Sequence, residues 1–303
     1  MASMRDIKRR KESIQSTGQI TKAMKLVATV KLQKARSRAE NSKPYFDAMY
    51  KAVTTMIARS GSINHKYLNN AGTGKKAVIV ITSNRGLAGG YNTNIIKQVI
   101  SSGIAREDML VYSIGRKGKD YLARRGYDIK ADYSDVINEP MYRDAMDIAS
   151  DVLGAYTSGE VSEIYLAYTC FMNTVSQVPV FIKLLPISAD DIQLKDGDKE
   201  ELMDGSVMEY EPEEQEALDI IIPKYVSSLI YGALVESVAS ENGARMTAMD
   251  NATSNADEMI EDLSLMYNRA RQGSITQELT EIDRKSTRLN SSHYQQSRMP
   301  SSA

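Results

Sequence analysis

MDNATSNADEMIEDLSLMYNRA (249–270) places Met249, Ala252, Ala256, Met259, Leu263, Met266 and Ala270 at alternating three- and four-residue steps. That spacing is a heptad seam, and only a helix lays such residues along one line. The seam consists mostly of small and flexible side chains, so a partner helix can approach it closely. It lies inside a longer helical stretch, 217–282, with Pro223 near its first turn. A helix of that length cannot bury its own seam and needs another.

The other end of the chain supplies a candidate. Residues 3–57 contain one glycine, Gly18, have no proline before Pro44, and are rich in Lys, Arg, Gln, Ala and Met. These are good helix formers. Ser3 and Asp6 have the spacing of an N-terminal capping box. Ile20, Ala23, Val27 and Val30 step by three, four and three, and are the expected seam of this first helix. At 1.5 Å per residue it would be about 80 Å long, beyond the width of a small domain. The simplest closure pairs the two end helices as an antiparallel, left-handed coiled coil projecting beyond a globular part.

Between them the period changes. KAVIVIT (76–82), MLVYSIG (109–115), EIYLAYTCF (163–171) and VPVFIKLLPI (178–187) read as strands. Helical stretches near 92–101, 116–124 and 141–157 separate them, which predicts an α/β layer with a mostly parallel sheet. The last two strands, joined only by MNTVSQ, are expected to form an antiparallel hairpin at one side. The expected organisation is therefore an N-terminal coiled-coil helix (1–58), an α/β insert (76–187), an acidic linker (188–216), a C-terminal coiled-coil helix (217–282) and a disordered, non-native tail (283–303).

The net charge of −1 conceals a polarity. Residues 1–38 hold 11 Lys/Arg against 2 Asp/Glu, and residues 190–219 hold 13 Asp/Glu against 2 Lys. Such asymmetry suits a chain with different partners at its ends. A basic helix without interleaved aromatic residues argues against single-stranded nucleic acid as one of them. No run of 18 apolar residues occurs, so insertion into a membrane is not expected. One cysteine, Cys170, allows no internal disulfide and reads as a small apolar residue in a strand. Two histidines leave little for a His-based triad or metal site, and the acidic stretch has no calcium-loop spacing. No cofactor and no metal are expected.

TSNRGLAGGYN (82–92) follows the first strand and opens a helix, where glycine-rich turns can cradle phosphate. It is neither GxGxxG nor a P-loop. The preferred reading is a tight turn in which Gly86, Gly89 and Gly90 take unusual backbone angles. The alternative function keeps the phosphate site and makes the chain an α/β nucleotide-binding enzyme with a coiled-coil dimerisation arm. ARQGSITQEL (270–279) puts polar groups on every side of a helix, a texture suited to a partner that surrounds it.

QITKAMKLVATVKLQKA (19–35), TSNRGLAGGYN (82–92) and GALVESVASENGARMTAMDNATSNADEMIEDLSLMYNRARQGSITQELTEI (232–282) together closely resemble the gamma subunit of F-type (rotary) ATP synthases. The resemblance implies a Rossmann-like α/β insert between the paired end helices, and a non-catalytic rotor shaft inside a ring of alpha and beta subunits, with a foot that meets an epsilon subunit and a membrane ring of c subunits. It implies a proton or sodium gradient as the drive, and a peripheral place on the cytoplasmic face of a bacterial inner membrane. It further implies that Met24 and Lys25 face an acidic loop of beta, and that Arg245, Gln272 and Thr276 are contact positions toward the ring. The sequence departs from the family at Asn84, Ala88 and Gly273, and in the end segment DRKSTRLNSSHYQQSRMPSSA (283–303).

Overall fold

The computed structural model describes residues 3–59, 65–68, 74–187 and 214–296 of the chain. Five strands and five α-helices account for most of them. In chain order these are α1 (Met4–Arg59), β1 (Lys75–Ile81), α2 (Tyr91–Ile100), β2 (Met109–Ile114) and α3 (Arg116–Arg124). They continue with β3 (Asp128–Asp132), α4 (Tyr142–Thr157), β4 (Val161–Phe171), β5 (Gln177–Leu185) and α5 (Glu214–Gln296). The chain divides into two compact units: residues 1–23 with 249–303, and residues 24–248.

The larger unit is built on one sheet of order β3-β2-β1-β4-β5. The first four strands run parallel and β5 closes one edge antiparallel to β4. All of β2 and the last five residues of β1 are buried, the continuous apolar run of a sheet covered on both faces. Leu110, Tyr112 and Ile114 point to a core shared with α4 and with Leu218, Ile222, Val226 and Ile230 of α5. Met109 and Val111 point to the opposite core, with Ile95, Val99 and Leu122 of α2 and α3. The antiparallel last hairpin is as expected. The edge strand β3 was not foreseen, because DIKAD (128–132) offers only Ile129 and Ala131 to a core.

An 18-residue window of α5 reaches a mean hydropathy of 1.4, with half of it buried. This qualifies the expectation from apolar runs. The apolar side chains of α5 from Leu218 to Leu234 are used against the sheet.

Each unit separately shows α1 and α5 antiparallel. In the smaller one, a Cβ added to Gly18 would lie 3.4 Å from that of Ala256, and the Thr21 and Thr253 hydroxyls are 2.8 Å apart. In the larger one, Phe46 stacks obliquely on Tyr231 and Tyr50 on Tyr225.

The seam itself differs from the expected one. Between residues 18 and 35 of α1 the buried positions are Gly18, Thr21, Ala28, Leu32 and Ala35, while Ile20, Val27 and Val30 are exposed to 57%, 58% and 65%. On α5, Met249, Ala256 and Leu263 are buried as expected, but Met259 and Met266 are more than half exposed and the partly buried Ile260 and Tyr267 lie beside them. Small residues (Gly18, Thr21, Ala28 and Ala35) are buried in the same seam as Leu32, Met249 and Leu263. A glycine and a threonine at the contact admit the partner backbone, which turns the larger neighbours outward.

The segment 283–303 was expected to be disordered. Its described part, to Gln296, continues α5, and 297–303 lie outside the described residues. No glycine or proline occurs between Gly273 and Pro300. Each added residue extends a helix already nucleated, at little cost. The expected acidic linker lies outside the described residues up to 213, and 214–216 belong to α5.

Candidate partner-contact surface

In a doubly wound sheet, ligands enter the crevice at the carboxyl ends of the strands where the order reverses. Here that point lies between β1 and β4, and TSNRGLAGGYN follows β1. Side chains of the loop accept backbone hydrogen bonds from the loop itself and from the first turn of α3. Ser83 N–H donates to Asn92 Oδ1 (2.9 Å), Arg116 N–H to Asn84 Oδ1 (3.0 Å) and Gly118 N–H to Thr82 Oγ1 (2.9 Å). Asn84 Nδ2 donates onward to the Ser134 carbonyl (2.7 Å), so one amide ties three segments together.

Helix α5 covers the same end of the sheet. Arg245 donates to the Gly86 carbonyl (3.3 Å), and Thr247 Oγ1 to the Thr174 carbonyl (3.1 Å). Ala244 packs with Ala88 and Tyr91, and a Cβ on Gly89 would reach to 3.9 Å of Ala248. The crevice that a nucleotide would take is thus lined by helix. Of the three glycines expected to hold unusual angles, only Gly89 does (φ +54°). Gly90 is right-handed (φ −83°) and Gly86 is not among the positive-φ residues, whereas Leu87 is (φ 62°). The most confined glycine is one that pattern reasoning missed. Gly115 has φ +106°, and a Cβ there would overlap the Thr82 carbonyl.

Arg245 is expected, from the resemblance, to be a contact position toward the ring. Its side chain is 11% exposed, and Nη1 lies 2.6 Å from Glu241 Oε1, one helical turn earlier. Together with the bond to Gly86 this makes it an internal clasp between α5 and the glycine loop. Gln272 and Thr276 are exposed, in the smaller unit; the Thr276 hydroxyl donates to the Gln272 carbonyl (2.8 Å), leaving the Gln272 amide toward solvent. Met24 and Lys25 are half-buried in the larger unit, where the Lys25 carbonyl accepts from Thr29 Oγ1 (2.9 Å).

Much of the basic charge of α1 has local partners. Lys34 and Arg38 both bind Glu139 (2.7 and 3.0 Å), holding its carboxyl below the usual range through the Lys34 hydrogen bond first and then that of Arg38. Arg36 pairs with Glu40 at 3.7 Å. Cys170 is half-buried beside Glu236, and burial followed by that carboxylate pushes its thiol up to about 11. No group of three or more His, Cys, Asp or Glu able to hold a metal occurs among the described residues.

What the two end helices leave outside is the large apolar set: Ile20, Leu26, Val27 and Val30 on α1, and Met259, Leu265, Met266, Ile275, Leu279 and Ile282 on α5. In each unit, end-helix positions that leave leucine, isoleucine, valine or methionine exposed present a surface for other chains.

A family model described as ATP synthase matches residues 3–283. The chain is 66% identical over 284 residues to the ATP synthase gamma chain of Lachnoclostridium phytofermentans, covering 93% of this chain and 97% of that protein. The chain belongs to the ATP synthase gamma-chain family. The sodium-ion-specific gamma chain of Acetobacterium woodii is 41% identical, with 92% of this chain and 96% of that one covered. Among solved structures, a chain of the central stalk and c-ring of the Tetrahymena thermophila mitochondrial ATP synthase superposes with a TM-score of 0.55 at 27% identity, over 77% of this chain and 99% of that one. A chain of the Euglena gracilis mitochondrial enzyme reaches 0.67 at 20% identity, over 96% and 95%, and speaks for the fold alone. For a gamma chain, a paired-helix surface with its large apolar residues outward and a sheet crevice lined by helix are coherent features.

Proposed function

We propose that this chain is the central rotor shaft of an F-type ATP synthase, itself without catalytic residues. It turns inside a ring of alpha and beta subunits and couples ion flow through a c-subunit ring to ATP synthesis or hydrolysis. An epsilon subunit shares the foot, and the complex is peripheral to the cytoplasmic face of a bacterial inner membrane. The observation that carries this reading is the set of exposed large apolar side chains on the end helices of a gamma-chain family member. Large apolar side chains turned outward along α1 and α5 need a sleeve, and a sleeve of several subunits meets them from several sides.

Physically, a shaft does its work through differential contact energy. Each angle stabilises a different conformation of each surrounding site, and the coupling cannot exceed that difference. Gln272 and Thr276, exposed and polar, suit contacts that form and release as the shaft turns. Met24 and Lys25 are proposed to meet beta. Arg245 acts on the ring indirectly, by holding the glycine loop to α5.

Co-expression with alpha and beta subunits of the same enzyme tests the reading. An assembled, ATP-hydrolysing complex is expected, and a complex that never forms with this chain would overturn it. The rival reading, a nucleotide-binding enzyme with a dimerisation arm, requires micromolar ATP binding by the isolated chain. Arg245 seated on the Gly86 carbonyl, and the Thr82 and Asn84 side chains engaged by α3, favour the shaft.

A further inference from the structure

The larger unit carries a second candidate surface. Between the edge strand β3 and helix α4 lies a cleft of about 580 Å³ floored by Tyr112 of β2. Three carboxylates (Asp147, Asp151 and Glu160) and one lysine, Lys130, line it. Lys130 Nζ is engaged by Glu160 at 2.7 Å, and Asp151 accepts the Tyr133 hydroxyl at 2.7 Å. The surplus is therefore negative. Tyr112 is fully buried, yet its hydroxyl oxygen has no hydrogen-bond partner. A buried hydroxyl left unmade is costly, and one at the floor of an acidic cleft is a waiting acceptor.

The cleft does not stand alone. On the other side of α4 a cleft of about 560 Å³ is lined by Tyr45, Tyr142, Met146, Leu153 and Pro223. Ser150 and Gly154, one turn apart on α4, line both. A Cβ on Gly154 would meet nothing within 4 Å, so the glycine is a notch where a chain can cross the helix. One side of the notch offers carboxylates and a phenol, the other an apolar, aromatic wall.

We infer that α4 is a docking site for a partner protein segment. One Lys or Arg side chain enters the Tyr112–Asp147–Asp151 cleft, and a neighbouring apolar side chain enters the Met146–Leu153 cleft across Gly154. Exposed ion pairs alone contribute little, so the apolar half supplies the affinity and the acidic half the selection. This inference does not depend on rotation or on the catalytic ring.

The test uses the full chain and two probe peptides, acetyl-Leu-Gly-Arg amide and acetyl-Leu-Gly-Gln amide, with the Met146 methyl signal followed by NMR. Saturable binding of the arginine peptide is expected, weakened about two- to fivefold in the glutamine peptide and in Asp147→Asn/Asp151→Asn, the size of one lost exposed ion pair. Tyr112→Phe should weaken it less, and Gly154→Leu should abolish it with circular dichroism unchanged. No shift at Met146, equal binding of both peptides, or indifference to the two aspartates would overturn the inference. So would spermidine competing as well as the peptide, which would make the cleft a site for free cations. A chain that fails here and still assembles an active ATPase loses only this inference.

Discussion

Glu236 shows how a single side chain can be placed against its own chemistry. It faces the cavity of about 170 Å³ between Phe46, Tyr168 and Tyr225, and one of its oxygens has no partner. Burial raises its carboxyl above the usual range, against smaller opposing hydrogen bonds from Cys170 and the Phe171 backbone. A carboxyl whose folded value exceeds the unfolded one favours the fold at low pH, and that contribution is lost as pH rises through the folded value. Glu236→Gln should therefore raise the melting temperature at pH 8 by about 2–4 °C, the equivalent of ~1 kcal/mol, and change it little at pH 4. Thermal unfolding at both pH values checks the sign.

Arg245 carries a second prediction at this scale. Removing one partner of a nearly buried ion pair strands the other, so Arg245→Ala should cost about 3 kcal/mol in urea unfolding. Arg245→Met with Glu241→Leu should recover most of it. Equal stability of the single variant and the parent would return Arg245 to a purely external role. The two special glycines separate in the same way. Gly115→Ala meets backbone and should prevent the insert from folding natively. Gly89→Ala meets only open contact and should cost about 1 kcal/mol, the penalty for a left-handed alanine.

At the scale of elements, the α1–α5 pair in the smaller unit depends on Gly18. Gly18→Leu would drive a side chain into Ala256 and should cost about 1–3 kcal/mol of overpacking. Thr21→Val should cost less than ~1 kcal/mol, because the Thr253 hydroxyl keeps its bond to the Met249 carbonyl (2.8 Å). Thermal melts of the helical signal compare the two. The elements themselves were largely legible. Continuous apolar runs marked β1, β2, β4 and β5, and the short MNTVSQ link marked the hairpin. The edge strand β3 was hidden because its outward residues, Asp128, Lys130 and Asp132, are charged and engaged by Lys75, Glu160 and Lys119. The seam of α1 was misplaced because hydrophobicity pointed to Ile20, Val27 and Val30, where the pairing required Gly18, Thr21 and Ala28.

For the whole molecule, that misplacement is the functional signal. A chain that hid its largest apolar side chains between its own helices would have little to offer a sleeve. Val27→Ser with Val30→Ser should leave the melting temperature of the isolated chain within about 2 °C, since exposed substitutions shift stability by about 0.5 kcal/mol or less. The same pair should lower the yield of assembled ATPase on co-expression. A fall in both would assign the stripe to the fold of the chain itself.

The amino-acid order alone determined the helix–sheet–helix plan, the mostly parallel sheet and the family, because period and motif are local properties of a string. Which face of each helix turns inward, that Arg245 grips Gly86, and that Tyr112 ends beneath three carboxylates were decided by tertiary structure. Those outcomes depend on how closely two backbones approach, a distance set jointly by residues far apart in sequence.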